Sequence, residues 1–401
     1  MSFTKYILPA LAATQLAFAK SDDTCSTDTT ISSQSDADAI ASCSVFDGDL
    51  TIKKDFSGVL SLAGIEKITG ALSCTGGTNV TSITAANLGS IGKAFTLSSL
   101  TQLSTLSFAN LSSVGSISWE ALPELLSLDF STGVTEAGDV SIVNTGLTSL
   151  GGISLKTVGL FDIENNRGLK TVNINNLMNA TDLINFSGNY DQLEIDLPNL
   201  GTGTNLTLRN ISSVSVPSLE KLTGQLGFWG TDFKSFSAPN LTATGDIVFM
   251  DNAKLTNISL PVLKTINGGF SISRNDKLDT ISTPKLETVT GAIDFTGTFN
   301  TVDLGSLERV AGGFNLQSTE GKFECSTFKT LQSEGVIKGT YSCKATTNNP
   351  TTSSGKSGTS SSTTSSSTAA ASTSTGAASI NGVAVPVAGV AAAFYAFAQL
   401  L

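Results

Sequence analysis

The sequence predicts an all-β fold, a right-handed parallel β-helix or solenoid of about twelve coils with a short helical, disulfide-stapled cap at each end. Three observations carry this prediction. The first is a spacing. Ile65, Leu88, Leu111, Val134, Leu155, Leu177, Leu200, Leu219, Leu241, Leu263, Leu286 and Leu307 recur at steps of 19 to 23, averaging 22. Whole segments repeat with it, as Leu255–Leu263 does in Leu278–Leu286. The second is a period of two after most anchors, as in Gly245-Asp-Ile247-Val-Phe249, Gly269-Phe270-Ser-Ile272 and Gly291-Ala-Ile293-Asp-Phe295. Such alternation of Ile, Phe and Val with polar residues gives a strand with one buried face. The third is the shortness of the remaining segments and their poverty in helix formers, which leaves no room for a regular helix in the coil. At about 4.8 Å per coil, twelve coils stack into a rod roughly 58 Å long.

The elements follow in chain order. Residues 1–19 carry Lys5, an apolar run from Tyr6 to Ala13 and on to Leu16, and the small residues of Ala17-Phe18-Ala19. These are the parts of a secretory signal peptide; the apolar run is too short to span a bilayer. The solenoid with its caps occupies residues 20–344. Cys25 and Cys43 lie 18 apart before the first anchor, and Cys325 and Cys343 lie 18 apart after the last. Each pair brackets a helix-compatible stretch, Ser35–Ser42 and Ser326–Ser333, where a solenoid must cover its raw strand edges. Both pairs are expected as disulfides in the oxidising secretory route, although spacing alone does not fix the pairing. Cys74 falls at the repeat position of Phe295 and is expected as a buried, inert thiol.

Within the coils, Asn144, Asn166, Asn252 and Asn275 each stand three residues before an apolar strand residue. They are expected at corners, where an asparagine bonds its own backbone and tolerates a left-handed conformation. Residues 345–376 form a stalk in which Ser and Thr fill most positions from 346 to 375. Such a segment buries no apolar surface and offers acceptors for O-glycans. Residues 377–401 read as a glycosylphosphatidylinositol (GPI) attachment signal. Gly376, Ala377 and Ala378 are small, Ser379–Gly382 is polar, and Val383–Leu401 is uncharged throughout. Gly376 is the expected lipid-bearing residue and Ser374 a second candidate. Eight Asn-x-Ser/Thr sequons begin at Asn79, Asn110, Asn179, Asn185, Asn205, Asn210, Asn240 and Asn257, and predict a heavily N-glycosylated surface.

Composition removes several function classes. There is no histidine among 401 residues, so no Ser-His-Asp or Cys-His nucleophile and no His-ligated zinc can form. A net charge of −10 argues against nucleic acid as a partner. No Asp-rich loop recurs, so neither a metal nor a cofactor is expected. Two chemical possibilities remain to be weighed. Asp139, Asp162, Asp246 and Asp294 sit at or beside strand starts, and stacked carboxyls at suitable spacing can cleave glycans when one has a raised pKa. Against that, Asn and Ser alternate with Asp at equivalent places, as solvated outward positions do. Trp119, Phe228-Trp229 and Tyr190 have apolar faces that suit sugar rings. The alternative is that Phe228 fills the core and Trp229 covers a corner near Gly227 and Gly230. Lys53 and Lys54 are too short a basic cluster to mark a binding site.

Taken end to end, these features resemble the fungal GPI-anchored cell-wall proteins of the sporulation-specific/extracellular-mutant wall-organisation family. The features are the Cys25/Cys43 pair, the Leu-x-x-Ile-x4-Leu coils, the Cys325/Cys343 pair, the Ser/Thr stalk and the apolar tail. The ectodomain of that family is similar to the receptor L-domain of insulin-type receptors. The resemblance implies a non-catalytic glycoprotein needed for wall organisation and integrity, with no catalytic residues to transfer. Its expected partners are wall polysaccharide (β-glucan), wall glycoproteins and, through a GPI lipid, the membrane. The coils depart from the leucine-rich-repeat consensus, because Asn is followed by x-x-Leu and the convex helix is missing. No horseshoe binding site is therefore implied. A receptor-like glycan- or protein-binding module is the alternative reading, and a glycan-remodelling enzyme using paired Asp a further one.

Overall fold

Alternating side chains on short strands bury one row per strand and need neighbours above and below to complete it. In a computed structural model that describes residues 23–353, the chain meets this need by winding on itself. The signal peptide at 1–19, the stalk beyond residue 353, Gly376, Ser374 and the 377–401 tail lie outside the described residues.

One face of the solenoid is a ladder of parallel strands running from Leu50–Ile52 to Phe314–Ser318. Its inward column reads Ile52, Cys74, Leu97, Trp119, Ile142, Ile163, Phe186, Leu208, Phe228, Phe249, Ile272, Phe295 and Leu316 in direct register. Every member is buried. Thirteen rungs thus enclose the twelve anchors, one between each pair. Shorter strands such as Lys67–Ile68 and Thr265–Ile266 precede this face across a bend. In Ser90–Ser98, Ser113–Leu122, Glu136–Thr145, Asn179–Ser187 and Thr202–Arg209 the two run together. Together they form one 23-stranded sheet, while the remaining side is divided into sheets of three, three and four strands.

The bend has a recurring chemistry. The side-chain oxygens of Asp49, Asp139, Asn205 and Asp246 accept the backbone N–H of Ala71, Leu160, Gln225 and Gly269, one coil on, at 2.6 to 2.9 Å. Backbones also approach closely here. A Cβ on Gly245 would sit 2.5 Å from the carbonyl oxygen of Gly224, so only glycine fits.

The corner after each rung differs from expectation. Ten consecutive coils place a left-handed residue there: Gly76, Ser99, Ala121, Asn144, Asn165, Gly188, Asn210, Gly230, Asp251 and Arg274, with φ between 54° and 71°. Of the four asparagines assigned to this conformation, only Asn144 adopts it. Asn166, Asn252 and Asn275 stand one residue later and point inward, fully buried. They bond mainly across coils. Asn166 Oδ1 accepts from Thr145 N and Oγ1, and Asn166 Nδ2 donates to Asn189 Oδ1 and to Ile142 O. Asn252 repeats the pattern between Thr231 and Asn275. A buried amide requires partners for both its ends, and here the equivalent position in adjacent coils and the rung carbonyls supply them.

Both ends are closed. Disulfides join Cys25 to Cys43 and Cys325 to Cys343, with Cα–Cα distances of 5.7 and 5.8 Å. At the first, the helix Gln34–Ala39 turns its Gln34 amide onto Ser61. Nε2 donates to Ser61 O and Oε1 accepts from Ser61 N, both at 2.9 Å, as a further strand would. The backbone N–H groups of Ser32 and Ser33 donate to Asp36 and hold its carboxyl below the usual range. At the other end, the helix Ser326–Ser333 buries Phe328, and Tyr341–Lys344 pairs onto the last rung. Burial pushes the Cys74 thiol up to about 11.

Candidate functional site

Outward positions on the long ladder form two rows, because residues i and i+2 of a strand share a face. One row reads Thr51, Ser73, Thr96, Ser118, Ser141, Asp162, Asn185, Thr207, Gly227 and Val248 in register. The other contains Val143, Glu164 and Ser187, then Arg209, Trp229 and Met250. Most of the first row is Thr and Ser. At mid-length the chemistry changes.

Asn185 lies at the centre of that change. Its Nδ2 donates to Asp162 Oδ1 at 2.8 Å and to Glu164 Oε1 at 2.6 Å, and its Oδ1 accepts from Thr207 Oγ1 at 2.9 Å. The two carboxylate oxygens are therefore no farther apart than the sum of their bonds to the shared nitrogen. Asn185 is only 6 % exposed although it faces outward. Burial pushes the Asp162 carboxyl up, against the pull of the Asn185 amide. Burial also raises Glu164, and the neighbouring Asp162 charge adds to it. Two rungs beyond Glu164, the Arg209 guanidinium carbon lies 4.1 Å from the centroid of a Trp229 ring. The tip of that indole fills the space that a Cβ on Gly227 would need. Glycine at 227 and the cation at 209 together fix the ring on the sheet. The result is a rigid platform of planar polar groups beside one half-buried aromatic ring.

The other sequence candidates are dispersed. Asp139 and Asp246 are exposed and serve backbone N–H groups at the bend. Asp294 accepts from Asn315 Nδ2 and from Ser353 N near the C-terminal cap. Of the four, Asp162 is the one that shares a hydrogen-bond donor, Asn185 Nδ2, with a second acid, and that acid, Glu164, was not among those expected. The signal for it was the i, i+2 rule on a strand already assigned. Trp119 and Phe228 are core residues, 1 % and 0 % exposed, so neither can meet a ligand. Tyr190 is half-buried with the Lys170 ammonium 5.6 Å over its ring. Lys53 and Lys54 are exposed.

Glycoside cleavage needs a cleft around paired carboxyls as well as their spacing. Two cavities lie elsewhere, one of about 300 Å³ between residues 300–305 and 322–328 and one of about 330 Å³ at residues 149–154 and 171. Among the described residues no three acidic or cysteine side chains converge to hold a metal ion.

The sequons divide by exposure. Asn79, Asn110, Asn210 and Asn240 are exposed, and Asn179, Asn205 and Asn257 partly so. Asn185 is the exception, with its side-chain nitrogen given to two carboxylates. It is also the one sequon asparagine in the two outward rows; Asn205 and Asn210 stand at the bend before and the corner after their rung.

A family model described as "Ecm33: GPI-anchored cell wall organization protein" matches residues 1–41. The chain is 57 % identical over 362 residues to "Protein ecm33" of Aspergillus fumigatus, covering 89 % of this chain and 90 % of that protein. It is 42 % identical over 359 residues to a "Cell surface GPI-anchored protein" of Arthroderma benhamiae, covering 89 % and 92 %. Over 304 residues it is 31 % identical to "Sporulation-specific protein 2" of Saccharomyces cerevisiae, covering 75 % of this chain and 60 % of that protein. No solved structure matches the chain.

Proposed function

The chain belongs to the Ecm33 family of fungal GPI-anchored cell wall organization proteins, and on that premise we propose how it serves the wall. It is a cell-surface wall protein with a role in wall organisation. In our reading it works without catalysis, as a stiff, glycan-clad rod. Residues 1–19 direct it into the secretory route, residues 345–376 hold it off the membrane as an O-glycosylated stalk, and Gly376 takes the lipid as 377–401 is removed. N-glycans are assigned to Asn79, Asn110, Asn179, Asn205, Asn210, Asn240 and Asn257. Asn185 is left out because a glycan replaces a hydrogen that Asp162 or Glu164 now accepts. The partners are β-glucan and wall glycoproteins, met through many weak lateral contacts.

The observation that carries this reading is the unbroken inward column from Ile52 to Leu316, closed by a disulfide cap at each end. The paired acids Asp162 and Glu164 lie on an outward sheet face and share one amide. Three measurements test it. Purified full-length protein incubated with β-glucan or chitin oligomers should leave their length distribution unchanged; shortened or transferred products lost in Asp162→Ala would make it an enzyme. Deletion should leave the wall fragile, and phospholipase treatment followed by β-glucanase fractionation should release the protein from membrane or glucan. A normal wall on deletion would contradict the reading.

A further inference from the structure

We propose that the outward face of the long ladder, centred on Asp162, Glu164, Asn185, Arg209 and Trp229, is a binding site for a neutral β-linked polysaccharide chain. The proposal rests on the wall role above and adds to it a place and a chemistry. Sugars present vicinal hydroxyls, which planar carboxylate, amide and guanidinium groups bind two at a time. Here those groups are already locked by one another. Asn185 holds both carboxylates, Thr207 holds Asn185, and Arg209 is stacked on Trp229. Binding then orders few side chains, which is where weak polar sites usually lose affinity. The half-buried indole supplies apolar surface for the C–H face of a ring.

Charge selects the class of ligand. Two carboxyls stand against one guanidinium on the platform, and the chain carries −10 overall. An anionic ligand is repelled, and a metal ion lacks a third ligand. Shape selects an extended chain. Polar groups repeat in register at the rung spacing, about 4.8 Å, from Thr51 through Ser141 into the platform. Of the eight sequons, the one that falls on these rows is buried; Asn205 and Asn210 flank the rung that carries Arg209.

The test uses detergent-solubilised full-length protein, immobilised, with a β-1,3-glucan hexaose, a chitin hexaose and an α-mannan oligosaccharide as probes. Saturable binding of the glucan or chitin probe is expected, and it identifies which wall polymer is the source. Arg209→Ala and the Asp162→Asn/Glu164→Gln pair should each weaken it about tenfold or more, or roughly 1.4 kcal/mol. Lys254→Ala, on another face, should not. If Arg209→Ala fails to fold, the isosteric acid pair still reads the site. Absence of saturable binding by wild type, binding of mannan alone, or equal binding by folded variants would overturn the proposal. A wall defect on deletion together with no binding defeats the site alone, whereas binding together with an intact wall defeats the proposed function.

Discussion

Replacing Asn252 with leucine roughly preserves the size of the side chain and removes its chemistry. Asn252 is 0 % exposed. Its Oδ1 takes the backbone N–H of Thr231 at 2.9 Å and the Thr231 hydroxyl at 2.5 Å, and its Nδ2 reaches Phe228 O at 3.3 Å and Asn275 Oδ1 at 3.0 Å. In Asn252→Leu the backbone N–H and the hydroxyl of Thr231, itself 1 % exposed, are stranded in a dry interior. Each costs about 1–3 kcal/mol, so the loss should be about 4 kcal/mol. Asn275 Oδ1 is spared, since the backbone N–H of residue 252 still donates to it at 2.9 Å. Exposed Asn110→Gln should change stability by less than about 0.5 kcal/mol. The assay is denaturant unfolding followed by the fluorescence of buried Trp119, with hydrogen exchange at the Thr231 amide as a local readout. Long stacked arrays can unfold piecewise, so the amide is the sharper probe. An unchanged midpoint together with full protection at Thr231 would refute the argument that the asparagine ladder fastens coil to coil.

Other consequences follow from the same geometry. Cys325→Ala with Cys343→Ala should destabilise the chain by about 2–4 kcal/mol, with exchange rising first in the last rungs and not near Ile52; uniform loosening would contradict an end cap. Asp162 and Glu164 are raised above their ordinary values of 3.8 and 4.5, so the folded chain binds more protons than the unfolded chain just above those values. Their contribution to stability therefore falls as pH rises through that window, and the Asp162→Asn/Glu164→Gln pair should flatten the fall measured by thermal midpoints between acid and neutral pH. A steeper slope in the double variant would reverse the sign. With its thiol pushed up to about 11, Cys74 should resist alkylation at pH 8 in the folded protein and react on denaturation; rapid labelling in the native state would place it at the surface.

The solenoid was legible because its two periods, the length of a coil and the alternation along a strand, are written in side chains that the fold buries. Cys74 could be placed in the Phe295 column from repeat register alone, and the column contains both. The corner was harder. Asn144 and Asn166 have the same spacing to the next leucine, yet one adopts φ of 54° and the other is buried one position later, because the turn before Leu147 is a residue shorter. Spacing counts residues and cannot register such a deletion. The platform was less legible still. Asp162 and Trp229 were singled out one at a time. What joins them is a lateral register across four rungs that sets Asn185 between two acids and Arg209 against an indole. An Asn-x-Ser motif reads as a glycan acceptor in any strand; only the neighbouring coils reveal that its amide is spent.

Site-resolved glycan mapping tests the bare-faced rod most directly. Full-length protein from its own secretory pathway would be deglycosylated enzymatically in heavy-oxygen water and each sequon peptide weighed. Label should appear at exposed Asn79, Asn110, Asn210 and Asn240 and be missing at Asn185. Stoichiometric label at Asn185 would require its amide to leave Asp162 and Glu164, and the ordered platform with it.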